Sequence, residues 1–218
     1  MTVTDNNGTE QILTATVDSS GDWQIEVPNS LAEGTYTVEA SISDAAGNNT
    51  TVSATGSIDT TTPVVVVNDT GLGNDSTPLI AGTSTEPAGT VVSLSIVDSN
   101  SDTQTLTATV QADGTWQATA PSLPDGAYTV TATIVDAAGN VGTDTGSGSI
   151  DTLPPSLAID SLGTINDDTP TISGTSNEPA GSVVNLSVSD GTNTYTFTAT
   201  VQADGTWSAD VPLSLIHI

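Results

Sequence analysis

The side chains of this chain that could do chemistry are almost all carboxylates. Its 218 residues include 26 aspartates and glutamates, no lysine, arginine or cysteine, and one histidine, and the formal net charge is −26. Chemistry by lysine, arginine or thiol groups is excluded, together with disulfides and thiolate metal sites. Carboxylates that converge can instead bind a hard cation such as Ca²⁺, which takes six to eight oxygen ligands.

The sign of the charge also limits the partners of the chain. Binding to nucleic acid or to an anionic membrane surface needs lysine or arginine to neutralise phosphates, so both are excluded as partners. No apolar run approaches the length of a membrane-spanning segment, so no membrane insertion is expected.

Catalysis is not expected from these residues. The only histidine, His217, lies in the last six residues, so no Ser-His-Asp or histidine–metal constellation exists. A pair of carboxylates can hydrolyse glycosides, but no acid or base candidate here sits in a recognisable motif. The sequence therefore predicts a protein that is not an enzyme.

Several carboxylates recur at a fixed spacing of 92 positions. The recurring segments are Asn74-Asp-Ser-Thr-Pro78 with Asn166-Asp-Asp-Thr-Pro170, Glu86-Pro-Ala-Gly89 with Glu178-Pro-Ala-Gly181, and Asp44-Ala-Ala-Gly-Asn48 with Asp136-Ala-Ala-Gly-Asn140. Self-similarity at a fixed period indicates tandem structural units. A unit of about 92 residues is the size of one small β-sandwich.

The phase of the spacing predicts the domain organisation. We expect a partial repeat over 1–59 that lacks its first strands (repeat one), a complete repeat over 60–151 (repeat two) and a partial repeat over 152–212 that lacks its last strands (repeat three). Residues 213–218 break the pattern and are interpreted as an aberrant tail. The chain is expected to be an internal piece of a longer repeat protein in which repeat two is the autonomous unit.

The elements that must position the carboxylates are short antiparallel strands. Repeat two divides into seven segments, and in most of them apolar residues alternate with threonine or serine, for example over Val91–Val97. This period of two is typical of a strand with one buried face. The tryptophans Trp23, Trp116 and Trp207 each begin a strand and share a face with small apolar residues, so core packing is favoured over an exposed platform for sugar binding.

The ordered set of motifs resembles the bacterial Ig-like repeats of giant surface adhesins. The set comprises the Asp-Thr-x-x-Pro linkers that start at Asp59 and Asp151, the Glu-Pro-Ala-Gly and Asp-Gly-Thr-Trp turns, and the Asp-Ala-Ala-Gly-Asn loops. The resemblance covers about residues 1–212. It implies tandem Ig-like antiparallel β-sandwiches in a stalk, frequently with Ca²⁺ at the domain junctions. It also implies type I secretion, a place on the bacterial cell surface, and a role in biofilm formation or host attachment.

Sandwich topology places one group of oxygen-bearing residues at a single junction. Successive loops of an antiparallel sandwich alternate between its two ends, so Asp59, Glu86, Asp136 and Asn140 are expected to converge where repeat two meets repeat one. Three carboxylates and an amide, with backbone carbonyls, suit Ca²⁺. The alternative stays open that these residues only form turns, which aspartate and asparagine do commonly.

Other carboxylates are weaker candidates for metal binding. Asp151 and Glu178 recur at the next junction, where the third partner is absent from the sequence, and Asp44 belongs to a junction whose linker is absent. Asp75 and Asp167 lie at the opposite end of their repeats and are candidates for a second type of site.

Three classes of function remain. The leading hypothesis is a structural spacer in an adhesin, with neighbouring repeats of the same longer chain as its partners and a host or glycan ligand bound by other domains. The alternatives are a sandwich that itself binds glycan or protein, and an accessory spacer of a secreted enzyme. Repeats two and three share Val-Gln-Ala-Asp-Gly-Thr-Trp, and no loop carries an aromatic cluster, which favours the spacer.

Overall fold

The computed structural model describes residues 1–167, 169–189 and 191–212. All regular secondary structure in these residues consists of β-strands. The predicted all-β fold is therefore confirmed, whereas the predicted tail over 213–218, with His217, lies outside the described residues. Contacts divide the chain into two compact units, Met1–Thr152 and a second that begins at Leu153. Among the described residues no helix is long and apolar enough to cross a membrane.

Repeat one forms one antiparallel sheet. Its strands are β1 (Thr2–Thr4), β2 (Glu10–Ile12), β3 (Gly34–Ser43) and β4 (Asn49–Ile58). They lie side by side in the order β2-β1-β3-β4. Threonine and valine, which favour pleated and half-buried surfaces, make up much of β3 and β4.

Repeat two forms a two-layer sandwich. Its strands are β5 (Val65–Val67), β6 (Gly71–Gly73), β7 (Leu79–Ser84), β8 (Val91–Val97), β9 (Thr103–Thr109), β10 (Thr115–Thr119), β11 (Gly126–Val135) and β12 (Val141–Ile150). A three-stranded sheet in the order β10-β7-β5 faces a five-stranded sheet in the order β6-β12-β11-β8-β9. All pairs are antiparallel except β6 with β12. The sequence pattern did not predict the short β6.

The core of repeat two follows from the alternation of its strands. On β8 the side chains of Val92, Leu94 and Ile96 point inward, and each is at most 2% exposed. Trp116 on β10 is 1% exposed, and its indole N–H donates to the carbonyl of Thr83 at 3.1 Å. Burial of the ring with its polar atom satisfied stabilises the sandwich, as expected for a large aromatic residue in a small core.

Repeat three is described within the second unit. Its strands are β13 (Leu157–Ile159), β14 (Thr171–Ser176), β15 (Val183–Ser189), β16 (Thr194–Thr200) and β17 (Thr206–Asp210). They form a three-stranded sheet in the order β13-β14-β17 and the antiparallel pair β15-β16. Trp207 on β17 is 1% exposed and lies in a core with Ile172, Val184 and Leu186.

The prediction of a buried tryptophan is wrong for repeat one. Trp23 is 47% exposed, whereas its counterpart Trp116 is buried. In repeat two the ring is covered by β7 and β5, and residues 1–59 contain no counterpart of these strands. Ile42 on β3 is 62% exposed for the same reason, although the equivalent Ile134 on β11 is fully buried.

One carboxylate residue of repeat two is buried in a turn. Asp98, which follows β8, is 8% exposed. Its Oδ1 accepts hydrogen bonds from the backbone N–H groups of Asn100 at 2.9 Å and Asp102 at 3.0 Å. A buried carboxylate is tolerated when it accepts such hydrogen bonds, because they replace part of its lost hydration.

Candidate functional site at the repeat junction

The junction between repeats one and two is the short linker 59–63. Repeat one is hydrogen-bonded to the first residues of this linker. Strands β3 and β4 pair with Gly34 opposite Ile58, so Glu33 lies beside the first linker residues. The Glu33 carboxylate accepts hydrogen bonds from the Thr60 backbone N–H at 2.7 Å, from the Thr60 hydroxyl, and from the Thr61 hydroxyl at 2.9 Å. These hydrogen bonds attach the linker to the repeat that precedes it.

Repeat two holds the same linker from the other side. The side-chain amide of Asn140, in the loop between β11 and β12, donates to the backbone carbonyl of Asp59 at 3.1 Å. The same Nδ2 donates to Oδ2 of Asp136 at 2.8 Å. Oδ1 of Asp136 accepts the N–H groups of Ala138 at 2.9 Å and Asn140 at 2.8 Å. Three of the four predicted site residues are thus connected by hydrogen bonds.

The fourth predicted residue, Glu86, lies in a loop that contacts Val64, the residue after the linker. Thr85 accepts a hydrogen bond from the N–H of Val64 at 3.2 Å, and the N–H of Glu86 donates to the hydroxyl of Ser84 at 3.1 Å. The Asn140 loop therefore contacts Asp59, and the Thr85 loop contacts Val64. Within the described ranges, however, no group of three or more Asp, Glu, His or Cys side chains is arranged to hold a metal ion. Ca²⁺ binding stays a prediction.

The equivalent loop of repeat one shows which contacts are intrinsic to the loop. Oδ1 of Asp44 accepts the N–H groups of Ala46 at 2.9 Å and Asn48 at 2.8 Å, and Nδ2 of Asn48 donates to Oδ2 of Asp44 at 2.7 Å. Residues 1–59 hold no linker that enters this loop. The aspartate–asparagine contact is therefore a property of the turn, which supports the turn-forming interpretation.

The remaining candidates have local contacts. Oδ1 of Asp75 accepts the N–H of Thr77 at 2.8 Å, and Oδ1 of Asp167 accepts that of Thr169 at 2.9 Å. In the first unit the N–H of Asp151 donates to the carbonyl of Gly73 at 3.0 Å. In the second unit the N–H of Glu178 donates to the Ser176 hydroxyl at 3.1 Å.

Sequence reasoning missed the carboxylates that hold the linkers. Asp125 stands 92 positions after Glu33, and its Oδ1 accepts the N–H of Thr152 at 3.0 Å and the Thr152 hydroxyl at 2.9 Å. Thr152 likewise stands 92 positions after Thr60. The signal was available, since an acid precedes Gly-x-Tyr in both repeats, but the acid changes from glutamate to aspartate.

Hydrogen bonds to the carboxylates lower the pKa of seven of them. They are Asp5, Glu33, Asp44, Asp75, Asp113, Asp136 and Asp204. For Glu33 the Thr60 hydroxyl contributes most to the lower pKa, and for Asp136 the Asn140 side chain does. Each donor stabilises the ionised form. In a chain without lysine or arginine, turn N–H and hydroxyl groups supply the partners of these acids.

A test of this role uses Asp113, whose Oδ1 accepts the Thr115 hydroxyl at 2.7 Å and its N–H at 3.0 Å. Both hydrogen bonds lower the pKa of Asp113 in the folded chain, and the one from the Thr115 hydroxyl has the larger effect. Its contribution to stability is therefore present above the unfolded value of about 3.9 and is lost as the pH falls through the folded value. Asp113→Asn keeps an acceptor for Thr115 but cannot titrate, so we expect proton uptake on acid unfolding to fall by up to about one proton.

The measurement is urea denaturation of the full chain between pH 2 and pH 6. The exposed Asp102→Asn is the matched control, because it removes one negative charge from the same repeat. An equal change in proton uptake for both variants would show that net charge alone governs acid stability.

Comparison with known proteins places these features in context. A family model described as a bacterial Ig-like domain matches residues 1–60 and 66–152. A tetra-tandem repeat from the extending region of a large adhesion protein is 34% identical, over 99% of this chain and 58% of that chain, with a TM-score of 0.43. A 1.5-MDa bacterial ice-binding adhesin is 25% identical, over 96% of this chain and 74% of that chain, with a TM-score of 0.41.

Both TM-scores lie below 0.5, so the superpositions do not themselves define the fold. This chain spans 58% of the length of the tetra-tandem repeat structure. No curated protein matches the chain. The repeats are similar to tandem repeats of large bacterial adhesion proteins.

Proposed function

The chain belongs to the bacterial Ig-like domain family, and we propose that its repeats act as a structural spacer in an extracellular bacterial adhesin. In this role the sandwiches separate other domains from the cell surface and carry no catalytic function. Neighbouring repeats of the same longer protein are the direct partners. We assign cell adhesion or biofilm formation, and export by type I secretion, to the whole protein and not to these repeats alone.

The observation that carries the proposal is the linker between repeats one and two. Glu33 of repeat one accepts hydrogen bonds from Thr60, and Asn140 of repeat two donates to Asp59. A linker without such contacts behaves as a flexible chain, and domains joined by it move independently. Here two consecutive linker residues are each hydrogen-bonded to a different repeat. These hydrogen bonds restrict the motion of the two repeats, as a spacer requires.

We include Ca²⁺ at this junction as part of the proposal. The residues that would hold it are Asp59, Glu86, Asp136 and Asn140, whose oxygen atoms are the ligand type that Ca²⁺ takes. In the structure the Asn140 side-chain amide donates to the Asp59 carbonyl and to Asp136 Oδ2, so three of these four residues are already in contact. A cation would also reduce the repulsion among acids of a chain with net charge −26.

Binding of Ca²⁺ at the junction predicts a rise in thermal stability. In the full chain we expect millimolar Ca²⁺ to raise the melting temperature of repeat two by about 5 °C or more, because a ligand that binds only the folded state stabilises it. Asp136→Ala combined with Glu86→Ala should remove the rise. Calorimetry with added Ca²⁺ or chelator makes the measurement.

The matched control is Asp44→Ala, which alters the same turn in repeat one, where no linker enters. It should leave the effect of Ca²⁺ on repeat two unchanged. Identical melting curves in Ca²⁺ and in chelator would remove calcium from the proposal and leave the spacer role standing.

The spacer role has its own test. The full chain is applied to a glycan array and to immobilised extracellular matrix proteins, and a spacer should bind none of them. Specific binding that survives removal of Ca²⁺ would show that the sandwich is itself a binding module, which is the alternative function.

A further inference from the structure

We propose that Glu33 and its counterpart Asp125 are positioning residues that fix the path of the linker as it leaves their repeat. Each does so by accepting hydrogen bonds from the linker threonine that follows the last strand. The inference rests on the proposed spacer function and deepens it, because it assigns the stiffness of the junction to named hydrogen bonds that need no metal ion.

Strand register brings the two partners together. Gly34, the first residue of β3, pairs with Ile58, the last residue of β4. Glu33 precedes the first of these residues, and Thr60 is two residues beyond the second. The acid and the threonine are therefore neighbours across the end of a strand pair, although 27 positions separate them in sequence.

The same arrangement occurs a second time within the first unit. Gly126 pairs with Ile150, and Asp125 accepts two hydrogen bonds from Thr152 across the same separation of 27 positions. Leu153 stands at the position of Thr61 in the first linker, so the second linker residue there carries no hydroxyl. The contact to the first threonine is common to both repeats and is the essential part of the arrangement.

The glycine after each acid has a backbone conformation that the site requires. Gly34 has φ of 104° and Gly126 has φ of 119°, a backbone conformation that residues with a side chain rarely adopt. A Cβ on Gly34 would lie 2.7 Å from the Asn6 side chain, and one on Gly126 would lie 2.7 Å from Ser99. The site therefore favours glycine after the acid, and this keeps the backbone of the acid beside the end of the strand pair.

The hydrogen bonds act on consecutive linker residues. Glu33 holds Thr60 for repeat one, and Asn140 of repeat two holds the carbonyl of Asp59, one residue earlier. The two repeats are therefore connected through one peptide unit and not through a long flexible segment. Loss of the Glu33 contact frees the linker from repeat one while its attachment to repeat two remains.

Distance measurements between the repeats test the inference. The chain has no cysteine, so Thr37→Cys and Thr129→Cys, at equivalent exposed positions on β3 and β11, give unique sites for spin labels. In chelator, pulsed electron resonance on the full labelled chain should give a narrow distance distribution. Glu33→Ala should broaden it about twofold, because the linker becomes a freely rotating chain at that end.

Three further variants make the result specific. Glu33→Asp should keep the narrow distribution, because repeat two uses aspartate at the same place. Thr60→Val should broaden it less than Glu33→Ala, because the backbone N–H is retained. Glu39→Ala, which removes an exposed acid on β3, should leave it unchanged.

The outcomes separate the inference from the proposed function. An unchanged distribution for Glu33→Ala in chelator, or equal broadening for Glu39→Ala, overturns the positioning role. Binding of the chain to a glycan or matrix protein would instead count against the spacer function and would not alter the distance distribution. Hydrogen exchange of the strands of repeats one and two should be the same in all variants, which shows that they differ in linker position and not in folding.

Discussion

Replacing Trp116 by alanine is expected to lower the free energy of unfolding of repeat two by about 3–5 kcal/mol. The indole is 1% exposed, lies against Gly82 of β7, and donates to the carbonyl of Thr83. Removal of the ring leaves a cavity between the two sheets and removes the hydrogen bond to Thr83, and close-packed strands cannot collapse to fill the space. Urea denaturation of the full chain, followed by hydrogen exchange of repeat-two peptides, measures the loss.

The matched control is Trp23→Ala in repeat one. Trp23 occupies the equivalent position but is 47% exposed, so its removal should cost less than about 1 kcal/mol. Equal costs for the two variants would mean that Trp23 is also buried in solution, and the described arrangement of repeat one would be wrong.

Gly82→Ala is expected to destabilise repeat two by about 3 kcal/mol or more. A Cβ at this position would overlap the backbone carbonyl of Val66 on β5 and the ring of Trp116. A carbonyl in a paired strand cannot move without breaking the β5–β7 ladder, so the added methyl group must separate the strands. The melting temperature of repeat two in the full chain is the measurement.

Gly73→Ala is the control for the glycine substitution itself. Gly73 lies in β6, and nothing lies within 4 Å of a Cβ built on it. Its effect should stay within about 1 kcal/mol, the range for an open surface position. If Gly73→Ala and Gly82→Ala were equally harmful, the backbone conformation of the glycines and not the packing against Trp116 would explain the need for glycine.

Most of the fold was predictable because the side-chain pattern reports directly on β-structure. The predicted strand Val91–Val97 agrees with β8. Period-2 alternation identified the buried face of β8 correctly, since apolar side chains on one face of a strand must be covered. The short β6 was missed because its three residues, Gly71–Gly73, are too few to show any alternation.

The candidate site was predictable only at the level of loops. Alternation of loops between the sandwich ends placed Asn140 next to Asp59, and the structure joins them. The Glu33–Thr60 contact was missed, because it depends on the register of β3 with β4 and not on residues close in sequence. Convergence of the carboxylate of Glu86 on this group stays a prediction, because loop position alone does not determine side-chain direction.

The sequence by itself determined the all-β class, the period of about 92 residues and the sign of every side-chain charge in repeats one to three. These properties are local or repetitive, so pattern and composition are enough to reveal them. The tertiary structure alone decided that Trp116 is buried while Trp23 is exposed, and that Glu33 holds the linker. Burial and hydrogen bonding depend on which strands are present to cover a face and on how they pair, and a motif carries neither kind of information.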